Sequence, residues 1–270
     1  MKEEQMPAAG RCDRHRDPAG GGEPPTRSAT GGRVSTLLAV IAARRSPTGP
    51  SAARTASAVR GRCGAAGSLR AVQEIAPGLW HWTARHDHIP TEVSSYYLFA
   101  ERVLIDPMIP AQGLEWFEQR GPPEHILLTN RHHDRHAWRF VEAFGCTVHC
   151  VRNGLHELEG RGPVAAFDFG DVLPGAVVAH EVDAICPDET ALHIPAHSAL
   201  ACADGVVRWS DRQGELAFVP DHLMDDPERT KRGLHDAYLG LLELDFDLLL
   251  LAHGDPVVGG AKEALRAFLG

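Results

Sequence analysis

Residues 125–136 read HILLTNRHHDRH, and the fold is decided by how this stretch is taken. His125–Thr129 is a short apolar run, which predicts a buried strand. Directly after it come Asn130, Arg131, His132, His133, Asp134, Arg135 and His136. The carboxyl end of a strand in an α/β sheet opens onto the usual ligand crevice. Three imidazoles and one carboxylate within residues 132–136 suit a divalent transition metal. The plainer reading of the same residues is a solvated helix start, with Asp134 near its N-terminus for capping and dipole reasons.

Working outward, the chain alternates strands and helices. Upstream, 75–83, 93–99 and 103–106 are rich in β-branched, aromatic and aliphatic residues and predict strands. Residues 112–120 predict an amphipathic helix stopped by Gly121-Pro122-Pro123. Downstream, a helix is expected over 136–144, closed by Gly145, then strands over 146–151, 176–182, 190–194 and 199–203. Asp226-Pro227 opens a helix running to about residue 244, with proline in its first turn. Residues 247–252, DLLLLA, predict an apolar strand and 260–269 a closing helix. Such an order suits two sheets sandwiched between helices.

Three further polar groups stand at strand ends. His253-Gly254 follows DLLLLA, Asp204-Gly205 ends the strand ALACA, and Pro187-Asp188-Glu189-Thr190 lies between two strands. An Asp-Gly at a strand end is by itself an ordinary turn. Their shared position and order make them candidate ligands. His86 and His88 lie in the loop RHDHIPTE between the first two predicted strands, and His180, His193 and the other scattered histidines show no ligand-like spacing.

In these features the sequence resembles the metallo-β-lactamase-fold superfamily over residues 72–270. That family has a strand ending in Thr, then H-x-H-x-D-H, a His in a P-G-H-T-like turn, an Asp after a strand and a late His-Gly. Here Leu128-Thr129 precedes the cluster, Asp204 matches the bridging Asp and His253-Gly254 the terminal His, while Ser94–Leu98 and Val103–Pro107 look like the family's early strands. The resemblance implies an α/β (α+β) fold, a four-layer αββα sandwich with its site at one edge between the sheets.

Aligned through Asp134, the family's motif histidines fall on Asn130, His132 and Arg135, and its turn histidine on Glu189. By this resemblance one ion would take His132 and Asp204, with oxygen from Glu189 and weak help from Asn130. A second would take Asp134, Asp204 and His253. Arg135 cannot ligate, because its guanidinium stays protonated; turned inward, it would stand in for a cation beside Asp134 or Asp204. A small shift of the loop would instead bring His133 or His136 into the shell; otherwise His133 points away from the site.

The implied cofactor is one or two divalent ions, Zn, Fe or Mn, with Glu189 favouring the harder ions. The implied function is hydrolysis of a small ester, thioester, lactone or phosphoester, with Asp134 orienting the attacking water. Two alternatives stay open: a family member without metal chemistry that binds or regulates, and a mononuclear iron oxidoreductase on the same fold.

Composition bounds these expectations. Of 270 residues, 43% are hydrophobic and 23% charged, ordinary for a soluble globular protein. Residues 1–70 hold twelve Lys/Arg against five Asp/Glu, a net of +7, so the rest of the chain (27−12 basic, 36−5 acidic) carries −16. The first part is rich in Gly, Ala, Pro, Ser and Arg and predicts a disordered tail; residues 71–270 predict one domain. Its only apolar run, VSTLLAVIAA at 34–43, is too short to span a bilayer. The six cysteines form no CxxC pair. The expected partner is a small-molecule substrate, with no membrane and no specific nucleic acid, since an acidic domain lacks the basic stripe that nucleic acid needs. A cytoplasmic location is expected, and the oligomeric state is open.

Overall fold

A computed structural model describes residues 71–87, 91–208 and 214–270. The expected disordered tail 1–70 and His88 lie outside the described residues. The first sheet is built from β1 (Gln73–Ala76), β2 (Leu79–Arg85), β3 (Glu92–Leu98), β4 (Val103–Ile105), β5 (His125–Leu127), β6 (Thr147–Val151) and β7 (Val164–Phe167). They lie side by side in sequence order. β1 to β4 pair antiparallel, and β4 to β7 pair parallel. Helices α1 (Glu115–Glu118) and α2 (Ala137–Phe144) supply connections between the parallel strands.

The second sheet uses β8 (Val172–Leu173), β9 (Val177–Glu181), β10 (Thr190–Ile194), β11 (Ala199–Cys202), β14 (Leu248–Leu251) and β15 (Val257–Val258), in the order β15-β14-β11-β10-β9-β8. Strands β12 (Val206–Val207) and β13 (Ala217–Phe218) pair as a separate ribbon. Helices α3 (Pro227–Leu241) and α4 (Ala261–Leu269) complete the chain. The Asp226 side chain caps α3 by accepting from Arg229 N, and Pro227 sits where the helix has no use for its N–H.

Side-chain alternation builds the layers. Leu248 and Leu250 of β14 face Leu79, Leu98, Ile105 and Leu127 in a core between the two sheets. Leu249 and Leu251, pointing the other way, pack with Leu200, Leu234, Tyr238 and Leu265 beneath α3 and α4. On the far side, Trp82, Leu104, Ile126 and Leu128 meet Phe117 of α1 and Phe140 of α2. The result is the four-layer αββα sandwich that the strand order suggested.

Local differences have plain causes. The single strand expected over 75–83 is two strands, because Gly78 takes φ +73° and turns the chain back on itself. The helix expected over 112–120 is only the single turn of α1: Gly113 sits at φ +74° and its N–H closes a turn onto Pro110 O, so no helix forms before Leu114. The strand at 125–129 leaves the ladder at Leu127, and α3 ends at Leu241 rather than near 244. Five short strands, β7, β8, β12, β13 and β15, were not anticipated; each has four residues or fewer.

Candidate metal centre

Four strand ends meet at one edge. Asp106 follows β4, Thr129 and Asn130 follow β5, Asp204 follows β11 and His253 follows β14. The two sheets are tied together there by Ser94 N to Ala252 O (2.9 Å), Tyr96 Oη to Leu251 O (2.8 Å) and Thr190 N to Thr129 O (2.8 Å). The His-Gly pair has a steric reason: Gly254 has φ +96°, and a Cβ on it would lie 1.9 Å from Arg208 O. Only glycine lets that backbone pass, with Arg208 N donating to His253 O at 3.0 Å.

The structure brings together His133, Asp204 and His253. Asp204 Oδ1 lies 3.1 Å from His133 Nε2 and 2.9 Å from His253 Nε2, and the three donor atoms fall within 4.8 Å of one another. The side chains are 6%, 27% and 11% exposed, so the cluster is sheltered yet reachable at Asp204. The outer atoms of two of them are held. His133 Nδ1 lies 2.9 Å from Asp106 Oδ2, and Asn130 Nδ2 donates to Asp204 Oδ2 at 3.1 Å. Asp106 is itself fixed by Thr129, whose N–H and Oγ1 donate to its two oxygens at 2.9 and 2.5 Å.

Charge is balanced tightly here. Burial opposes a charge on His133, but the carboxylates of Asp204 and Asp106 outweigh it and raise its pKa to about 9. Burial pushes Asp204 and Asp106 upward, and the neighbouring histidines and other donors outweigh it and hold both below the usual carboxylate range. Burial, helped by Arg135 and His133, lowers His253.

Several predicted site residues are placed elsewhere. His132 turns toward the outside, with Nδ1 3.5 Å from Glu157. Asp134 accepts from Trp138 Nε1 at 2.8 Å and pairs with Arg161, so it does not reach the cluster. Glu189 is fully buried and holds a loop together, accepting from Gly205 N at 2.8 Å and Ile185 N at 3.1 Å. Arg135 does turn inward, but its Nη1 donates to the carbonyls of Ser94 (2.7 Å) and Asp106 (2.9 Å), not to Asp134 or Asp204. His136 Nδ1 accepts from Ile109 N and its Nε2 meets Asp87, so it is a strut of the loop. Asn130 orients Asp204 instead of donating to an ion.

The reason for the shift is local. Asn130 caps a 3-10 turn over Arg131–Asp134 by accepting from His132 N at 2.9 Å, and the turn has a kink at His133. That turn swings His133 inward and His132 and Asp134 outward. Sequence reasoning did not assign Asp106 or Thr129 to the site; the signal was the strand end Ile105-Asp106-Pro107, which places a carboxylate where Thr129 can bind it.

The donor chemistry fits a divalent ion. Two imidazoles and a carboxylate with an open side is a common catalytic set. A tetrahedral ion with ~2.1 Å bonds needs donors about 3.4 Å apart, a few tenths of an ångström wider than the 3.1 and 2.9 Å from Asp204 Oδ1 to the two imidazoles. Among the described residues one group of three such donors converges.

No family model matches the sequence, and no curated protein matches it. Solved structures do. A flavodiiron core from Synechocystis sp. PCC6803, described as metal-soaked, aligns over 74% of this chain with TM-score 0.55 at 14% identity. This chain spans only 60% of that one. The DIM-1 metallo-beta-lactamase aligns over 75% of this chain and 98% of its own, with TM-score 0.51 at 11% identity. A metallo-beta-lactamase family protein of Thermus thermophilus aligns over 73% and 79%, with TM-score 0.52 at 13% identity. With two sheets in this order and helices on both outer faces, the chain has the metallo-beta-lactamase fold.

Proposed function

We propose that the protein is a metal-dependent hydrolase that uses one divalent ion held by His133, Asp204 and His253. One observation carries the reading: three donor atoms converge at the sheet edge, and the outer atoms of two of the side chains are already oriented. Orienting partners of this kind are a regular companion of metal ligands. A bound ion would supply Lewis acidity, polarising a substrate carbonyl or phosphoryl oxygen and acidifying water.

The chain's own residues do the rest. Asp106 accepts from Nδ1–H of His133, which turns the Nε2 lone pair toward the cluster once the second proton has left. Asn130 engages Asp204 Oδ2 and leaves Oδ1 to face both imidazoles. The substrates that suit this chemistry are a small ester, thioester, lactone or phosphoester. We also place the reaction in the cytoplasm; the four described cysteines are all buried and unbridged, as is usual in a reducing compartment.

Metal analysis of the purified full chain, expressed with Zn, Fe or Mn, tests this reading. About one equivalent is expected, falling below about a tenth in His133→Ala and in His253→Ala but retained in His132→Ala. Absence of metal from the wild type would leave a binding role on the same fold. The two-His-one-carboxylate set also favours a second reading, a mononuclear iron oxidoreductase. Bound iron with oxygen consumption would support it over hydrolysis.

A further inference from the structure

Two adjacent serines of β3, Ser94 and Ser95, are fully buried, with Val93, Tyr96, Tyr97 and Leu98 packed around them. A serine covers little apolar area, and a buried hydroxyl must find partners. The ladder leaves room for such partners. β4 pairs with β3 over Tyr96–Leu98 only, so at Ser94 and Ser95 that edge of the strand is released toward the strand ends that carry the cluster.

Each serine holds the backbone of a different arm of the cluster. Ser94 N donates to Ala252 O and Ser94 Oγ donates to Gly254 O, both at 2.9 Å, so one residue grips the chain on either side of His253. With its hydrogen given to Gly254, Ser94 Oγ accepts from His81 Nε2 at 3.0 Å, and the His81 ring stacks on Tyr96 with centroids 5.0 Å apart. Ser95 Oγ donates to Asp106 O and accepts from Met108 N, both at 2.8 Å. These two bonds close the chain around Asp106, which sits at φ +46°, a conformation that a non-glycine residue keeps where its surroundings impose it. Asp106 in turn meets His133 Nδ1 at 2.9 Å. Arg135 Nη1 joins the two arms by donating to Ser94 O and Asp106 O.

We infer that Ser94 and Ser95 are positioning residues of the metal centre. Ser94 sets where His253 stands, through the backbone on both sides of it, and Ser95 sets His133, through Asp106. The inference rests on the metal reading and deepens it by naming what fixes the span between the two imidazoles. Neighbours along a strand are evenly spaced and point to opposite faces, so one short stretch of β3 registers both arms against each other. Partners behind metal ligands typically carry about 10–100-fold in metal affinity.

Competition titration of the full chain with Zn²⁺ tests this, together with the visible spectrum of the Co²⁺-loaded protein, which reports ligand geometry. Ser94→Ala and Ser95→Ala are each expected to weaken zinc about tenfold and to alter the cobalt spectrum. Val148→Ala, a buried truncation on the outer face of the same sheet, is expected to lower stability and leave zinc affinity and spectrum unchanged. Wild-type affinity and spectrum in both serine variants overturn the proposal. So does an equal loss of zinc in Val148→Ala, which would reduce the serines to a general structural role. Should Ser94→Ala fail to fold, Ser95→Ala decides, because it acts through the other arm. A wild type that binds no metal would sink the hydrolase reading, and the metal-free protein then decides the positioning. The His253 ring resonances, identified by their loss in His253→Ala, are expected to shift in Ser94→Ala; unshifted resonances overturn the proposal.

Discussion

Arg131 and Asp188 show how a substituted motif is rebuilt residue by residue. Their side chains, 1% and 0% exposed, form a buried ion pair, and Asp188 Oδ2 also accepts from Arg131 N. Glu157 reaches Arg131 Nε at 2.8 Å from the surface side. Removing one partner of a buried pair strands the other charge, so Asp188→Asn is expected to lower unfolding free energy by about 3 kcal/mol, read from a urea midpoint. A loss within ±0.5 kcal/mol would show that the pair carries little. Gly154→Ala attacks the same spot, since its Cβ would meet Asp188 Oδ2 at 2.7 Å and Arg131 Cβ at 3.1 Å. It is expected to cost about 1–3 kcal/mol by the same measurement. Glu189→Gln, in contrast, is expected to leave metal content unchanged, because Glu189 serves backbone N–H groups and not the donor cluster. Depletion of metal in that variant would return Glu189 to the ligand set.

At the scale of elements, β5 and β6 carry a pH-sensitive contact away from the site. His125 Nδ1 lies 3.2 Å from His149 Nε2 across the parallel pair. Burial, and then the neighbouring His125, lowers the His149 pKa to about 4. That value lies below the ordinary 6.5 of an unfolded histidine, so protons bind the unfolded chain more readily. Stability from this residue is full above pH ~6.5 and declines as pH falls toward ~4. His149→Val, which suits a strand, is expected to shrink the drop in Tm between pH 7 and pH 5. An undiminished drop would place the acid sensitivity elsewhere. The helices show a different limit of element reading. Residues 112–120 have helical character in sequence, yet one left-handed glycine, Gly113, reduces them to a single turn.

Over the whole molecule, the layered fold was legible because short continuous apolar strands such as Leu248–Leu251, which must be covered on both faces, and the apolar faces of α2 and α4 leave few ways to bury themselves. Among the described residues no helix is long and apolar enough to cross a membrane. The composition of residues 1–70 predicts that deleting them leaves Tm of the remaining chain unchanged; a fall of several degrees would show that they pack on it. The candidate site was legible only in part. Asp204 and His253 could be found from strand ends, because a strand's direction and length fix where its last residue emerges. His133 could not, because the choice among three neighbouring histidines depends on the twist of one short turn. That twist is set by Asn130 capping it, by Asp106 receiving His133 from β4, and by Asp188 holding Arg131 from a loop 57 residues away. The sequence by itself therefore determined the sandwich, the edge at which the candidate site lies and two residues of its converging cluster, Asp204 and His253. Only the tertiary structure decided that His133 joins them and that Arg135 turns inward, since side-chain direction in a kinked turn answers to partners that are distant along the chain.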